Sequence, residues 1–112
     1  MRDQGVMERD REEVELLLQS NDNQEVQDAL LSAAYYDPDW RWVQGKCLVL
    51  SHHPDSRVRW IAATCLGHLA RIHRQLEVEL VLQRLAELKA DPLVKAGTED
   101  ALDDIRFYLN FQ

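Results

Sequence analysis

Between His53 and Arg71, in HPDSRVRWIAATCLGHLAR, apolar residues recur three and four positions apart. Val58, Ile61, Ala62, Cys65, Leu66, Leu69 and Ile72 therefore share one face of a helix that starts after Pro54-Asp55. No run between turn signals alternates with period two, so no sheet is expected. A helix with so wide an apolar face must bury it against other helices, and the chain supplies candidates. Residues 9–19 offer Val14, Leu16, Leu17 and Leu18; residues 39–51 offer Trp40, Val43, Cys47, Leu48 and Leu50. Residues 75–89 offer Leu76, Val78, Leu80, Val81, Leu85 and Leu88. Asn21-Asp22-Asn23, His52-His53-Pro54 and Ala90-Asp91-Pro92 punctuate these segments as short connections.

The central segment also has relatives within the chain. Val58 aligns with Val26 in NQEVQDALLSAAYY and with Val94 in DPLVKAGTEDALDDIRFYL, at separations of 32 and 36 residues. Ala29, Leu30, Ala33 and Ala34 then match Ile61, Ala62, Cys65 and Leu66, while Ala101, Leu102 and Ile105 match Cys65, Leu66 and Leu69. Asp-Pro recurs as Asp37-Pro38 and Asp91-Pro92, and the basic residue after Val as Arg59 and Lys95, with Gln27 in the first unit. In the third unit Gly97-Thr98 stands where an apolar pair is expected. With its Pro54-Asp55 turn, Val58-Arg59, Ala62-Ala63 and Leu66-Gly67-His68-Leu69, the middle unit resembles the second helix of a HEAT repeat. The resemblance implies an all-α fold, an α-α superhelix of about three antiparallel helix pairs (a HEAT-like solenoid). Residues 1–7 are expected to form a flexible tail and residues 8–112 the repeat domain. Three units are the lower limit for a continuous core. The resemblance further implies that Gly67 permits close helix packing. It also implies that Arg59 bridges to an Asp in a neighbouring turn, Asp37 or Asp91.

Charge is unevenly distributed. The 112 residues carry a formal −7, made of −8 over residues 1–39, +4 over residues 40–90 and −3 over residues 91–112. Phosphate backbones repel such a surface, so nucleic acid is an unsuitable partner and a cationic protein a suitable one. No apolar run approaches the ~20 residues that span a bilayer, which predicts no membrane association. MRDQGVMERDREE lacks the apolar core of a secretory signal. Cys47 and Cys65 both fall on apolar faces outside any CxxC motif, the pattern of buried free thiols. A bridge between them stays geometrically open. Together these features predict a cytoplasmic protein.

Second helices of HEAT-like arrays usually line the concave face, which names a stripe that a partner would read. The first unit contributes Asp28, Ser32, Tyr35 and Tyr36; the second Trp60, Thr64, His68 and Arg71; the third Glu99, Asp100, Asp103 and Asp104. Aromatic residues supply anchoring area and carboxylates supply steering. Trp60 either faces the partner or packs on Trp40 or Trp42 of the preceding helix. Tyr35 and Tyr36 are adjacent, so at least one should reach solvent.

No catalytic constellation accompanies that stripe. His68 and His73 are five residues apart and diverge around a helix, unlike the i, i+4 pair of a zinc helix. The chain has no Gly-rich phosphate loop, no nucleophile elbow, and none of the His-Glu dipeptides of HEAT-like di-iron hydroxylases. HEAT-like DNA glycosylases present basic concave faces, whereas the outer second helices here are acidic. No metal and no cofactor is expected. A short, acidic chain without chemistry resembles bacterial toxin-immunity proteins, including those of contact-dependent inhibition systems. The resemblance implies occlusion of a basic toxin, a nuclease by type. A peptide-binding adaptor and a HEAT-type accessory lyase or chaperone are the alternative readings.

Overall fold

The computed structural model describes residues 5–110. Six helices follow one another: α1 (Arg11–Leu18), α2 (Asn23–Tyr36), α3 (Trp40–Leu50), α4 (Ser56–His73), α5 (Val78–Leu88) and α6 (Lys95–Tyr108). The described residues contain no strand. Aspartates start the first four helices. Asp10, Asp22, Asp39 and Asp55 accept hydrogen bonds from first-turn N–H groups of α1, α2, α3 and α4, satisfying donors that have no intrahelical partner. α4 stops at Arg74, which takes the left-handed conformation (φ 57°).

Cross-links show how the helices stack. The side-chain amide of Asn23 donates to Asp55 (3.0 Å), and Arg59 Nε donates to Asp91 (3.1 Å). The starts of α2, α4 and α6 therefore lie side by side. Arg71 reaches the Tyr35 hydroxyl (3.5 Å), and His73 Nε2 lies 3.3 Å from the Ala34 carbonyl, so α2 and α4 run in the same direction. α6 follows suit, with Gly97 against Trp60 and Ala101 against Gly67. A second layer is tied in the same way. Gln44 exchanges two hydrogen bonds with Glu77 (2.7 and 2.8 Å), and Arg84 donates to the Ser51 hydroxyl (2.8 Å) and carbonyl (3.0 Å). These links join α3 to α5, and of the eight hydrogen bonds described across the stack six span 32 or 33 residues. The result is two layers, α2-α4-α6 and α1-α3-α5, within a block of 36 × 28 × 25 Å.

α4 lies at the centre and packs on α2, α3 and α6. Leu30, Leu66, Leu69, Leu85 and Ile105 are fully buried in the single core. Gly97 and Thr98, which look like departures from the apolar pattern, are buried too; Thr98 donates its hydroxyl proton to the Val94 carbonyl (2.9 Å). Gly67 marks the closest approach of two helices. A Cβ there would lie 2.9 Å from Ala101 Cα, so the expected close packing is present. Arg59 takes Asp91 as its partner, and also donates to the carbonyls of His53 and Pro54 (2.9 Å each). Asp37 is held by Arg11 instead (2.9 Å). Cys47 and Cys65 are buried free thiols. Burial and the neighbouring Cys47 push the Cys65 thiol well above its usual range.

Candidate functional site

The exposed stripe of α4 starts from its N-cap. Asp55 accepts from the side chain of Arg57 and from the N–H groups of Arg57 and Val58, which lowers its carboxyl to about 2. With α4 so anchored, Trp60, Thr64, His68 and Arg71 follow at intervals of four, four and three residues along one side of the helix.

Trp60 does not pack on Trp40 or Trp42. Its fused ring edge lies on Gly97 of α6, where a Cβ would come within 2.9 Å, and 37% of the residue stays exposed. Trp42 is instead covered by the Arg11 guanidinium at 4.2 Å, and Trp40 by Arg41 at 4.7 Å. The partner of Trp60 is thus the following unit, because the α4–α6 approach through glycine leaves room for an indole. Leu93, 62% exposed, joins Trp60, Ile61, Gln27, Ser56 and Arg57 around a shallow notch of about 170 Å³. Helical periodicity alone does not mark Leu93; the available signal is that Val94 takes the core position, which turns its neighbour outward.

Towards the C-terminal half of α4 the surface changes character. Thr64 and His68 face Asp100, Ala101, Asp103 and Asp104 across an open depression of about 480 Å³. Asp104 leans onto Gly67, its Oδ2 only 3.1 Å from the place of a Cβ there. Burial raises its carboxyl above the ordinary value, Asp100 and Asp103 raise it further, and Arg71 opposes them. Beyond the depression, His68 meets Tyr35 edge-on (5.3 Å between centroids), and Arg71 lies 3.3 Å from His68 Nδ1. Tyr35, Thr64, His68, Arg71, Asp100, Asp103 and Asp104 therefore form one continuous surface across the three parallel helices. Glu99 turns away, towards Lys89 and Arg106.

The α2 end of the predicted stripe is partly covered. Ser32 is fully buried, not open to a partner: its hydroxyl accepts from the Arg9 N–H (3.0 Å) as the segment before α1 crosses α2. Arg9 also reaches the Asp28 carbonyl (3.5 Å), and Gln24 donates to the Asp28 carboxylate (2.9 Å), which leaves Asp28 half-buried. Tyr36 is the exposed member of the tyrosine pair, although its hydroxyl donates to the Val6 carbonyl (3.1 Å). Residues 1–4 of the expected tail lie outside the described residues.

No helix of the described residues is long and apolar enough to cross a membrane. No group of three or more His, Cys, Asp or Glu among them is arranged to hold a metal ion.

No known family model matches the chain, and no curated protein does. A solved structure does match: a chain in the crystal structure of the CDI complex from Cupriavidus taiwanensis LMG 19424 is 35% identical, with a TM-score of 0.85. The alignment covers 96% of this chain and 97% of that one, so it takes in both helix layers and the whole α2-α4-α6 surface. The protein therefore belongs to the same family as that chain of the CDI (contact-dependent inhibition) complex.

Proposed function

We propose that the chain is the immunity protein of a contact-dependent inhibition system, acting in the cytoplasm by binding a toxin and covering its functional surface. The observation that carries the reading is the near end-to-end likeness, at 35% identity, to a chain of a CDI complex. The surface chemistry supports it. A net charge of −7 favours a cationic partner, and Asp100, Asp103 and Asp104 concentrate that charge beside Thr64, His68 and Arg71. Tyr35, Tyr36 and Trp60 supply aromatic area, with Asp28 at the edge and Ser32 acting from beneath. A nuclease fits best as the toxin, since an enzyme that holds phosphates needs cations around its active site. The mechanism is occlusion: no side chain of this protein performs chemistry, and its carboxylates occupy the cations that would otherwise hold substrate.

The test is growth protection. A candidate cognate toxin domain is induced in cells with and without the protein, and the purified pair is titrated at low and high salt. Rescue of growth, with an association rate that falls steeply as salt rises, is the expected outcome. Undiminished killing in the presence of the folded protein would refute the reading.

A further inference from the structure

The proposed toxin-binding face contains two chemically different subsites, and they adjoin. The first is the notch of Trp60, Ile61 and Leu93 at the start of α4; the second is the acidic depression around Asp100 and Asp104. Gly97 joins them, because a Cβ on it would meet the Trp60 ring at 2.9 Å and the Thr64 methyl at 3.2 Å. Thr64 in turn lines the depression. Trp60 is therefore an exposed aromatic whose inner face is fixed by its seat on the α6 backbone. Little ordering entropy remains for a partner to overcome there.

Resting on the immunity reading, we propose that this notch is an apolar anchor site of the toxin interface. It takes one aliphatic or aromatic side chain of the toxin while a Lys or Arg of the same toxin element enters the acidic depression. Charge fixes the orientation. The depression carries Asp100, Asp103 and Asp104, whereas no carboxylate lines the notch and its Arg57 is paired with Asp55 (3.0 Å), so the cationic end of the ligand element lies towards the depression. Trp60 and His68 are eight residues apart on α4, which sets the apolar and basic groups of the toxin roughly 12 Å apart. Fully desolvated aromatic anchors dominate binding energy in such interfaces, and charged groups around them govern association rate.

Calorimetric titration and stopped-flow association with the purified toxin domain test the assignment. The variants are Trp60→Ala, Leu93→Ser and the double variant Asp100→Asn/Asp104→Asn. Leu93 is mostly exposed, so Leu93→Ser keeps the test valid if Trp60→Ala unfolds. The expected result is at least about a tenfold loss of affinity in each folded notch variant, through faster dissociation and with the salt dependence retained. The double carboxamide should instead lose association rate and salt dependence. Notch variants that bind within twofold of the wild type would overturn the anchor while leaving the immunity reading in place. A wild-type protein that does not bind the toxin would overturn both. Self-association that Trp60→Ala abolishes, in sedimentation of the protein alone, would overturn the anchor in favour of a second copy of this chain.

Discussion

Replacing Gly67 by alanine sets two opposing effects against each other, and the structure decides the winner. In a helix interior, alanine is favoured over glycine by about 1 kcal/mol. At Gly67, however, the new methyl would sit 2.9 Å from Ala101 Cα and 3.3 Å from Ala101 Cβ, where ordinary contact begins at 3.4 Å. No rotamer relieves this, because the obstacle is backbone and the first side-chain carbon. α6 must shift by about half an ångström across the most extensive helix–helix contact in the fold, and overpacking of that kind costs about 1–3 kcal/mol. Because the obstacle is backbone, the cost falls in the upper part of that range, about 2–3 kcal/mol; after the helix gain of about 1 kcal/mol the net destabilisation is about 1–2 kcal/mol, lowering Tm by roughly 5–10 °C. Gly45 provides the control, since it lies within α3 with nothing inside 4 Å of an added Cβ. Gly45→Ala should gain up to about 1 kcal/mol. Urea denaturation of both variants, compared at constant m, reads the signs directly. A Gly67→Ala protein as stable as the wild type would refute the argument that the α4–α6 approach has no room for a methyl.

Asp104 predicts a conflict between stability and binding. Its folded carboxyl titrates above the ordinary 3.8, so the charged form carries the penalty, which is complete above the folded value and absent below the unfolded one. Asp104→Asn should therefore raise the urea midpoint at neutral pH, lose that advantage below about pH 3.8, and weaken toxin binding; a lower midpoint at neutral pH would contradict this. Asp55 has the opposite sign. Held near 2, it stabilises the fold fully above about pH 4 and loses that effect as pH falls towards 2. A carboxyl-carbon NMR titration should place its midpoint near 2, and a midpoint at the ordinary 3.8 would refute the N-cap assignment. Cys47 and Cys65 should react with a thiol reagent only once denaturant unfolds the chain, because both are buried; rapid native-state labelling would show that the core opens around them.

The helices were legible in the sequence because their apolar residues keep a helical period. Segments 9–19, 39–51 and 75–89 differ from α1, α3 and α5 by at most three residues at either end. Aspartate before α4 and Asp-Pro before α3 and α6 marked the connections. Relations between units were harder to read. Arg59 had two candidate partners in sequence, and only the stacking chose Asp91. Trp60 had tryptophans in the preceding helix as obvious neighbours, yet packs on Gly97 37 residues further on, because a glycine's vacancy leaves no apolar signal. Ser32 looked exposed because the segment covering it, residues 6–9, docks through hydrogen bonds and has no periodic apolar face. Asp100, Asp103 and Asp104 stand at the spacing that places them opposite Thr64 and His68, so their common surface was legible in the sequence.

α6 leans chiefly on α4 and has only narrow contact with its own hairpin partner α5. Amide protection in a stacked fold follows which helix must separate from which, and opening α6 means parting it from α4 while α5 stays docked through Gln44 and Ser51. The acidic depression spans that same junction. A ligand bound across it holds the two helices together and suppresses the opening in proportion to its affinity. Slowed hydrogen exchange in α6 would then report occupancy of the site, even where the bound element never touches the protected amides.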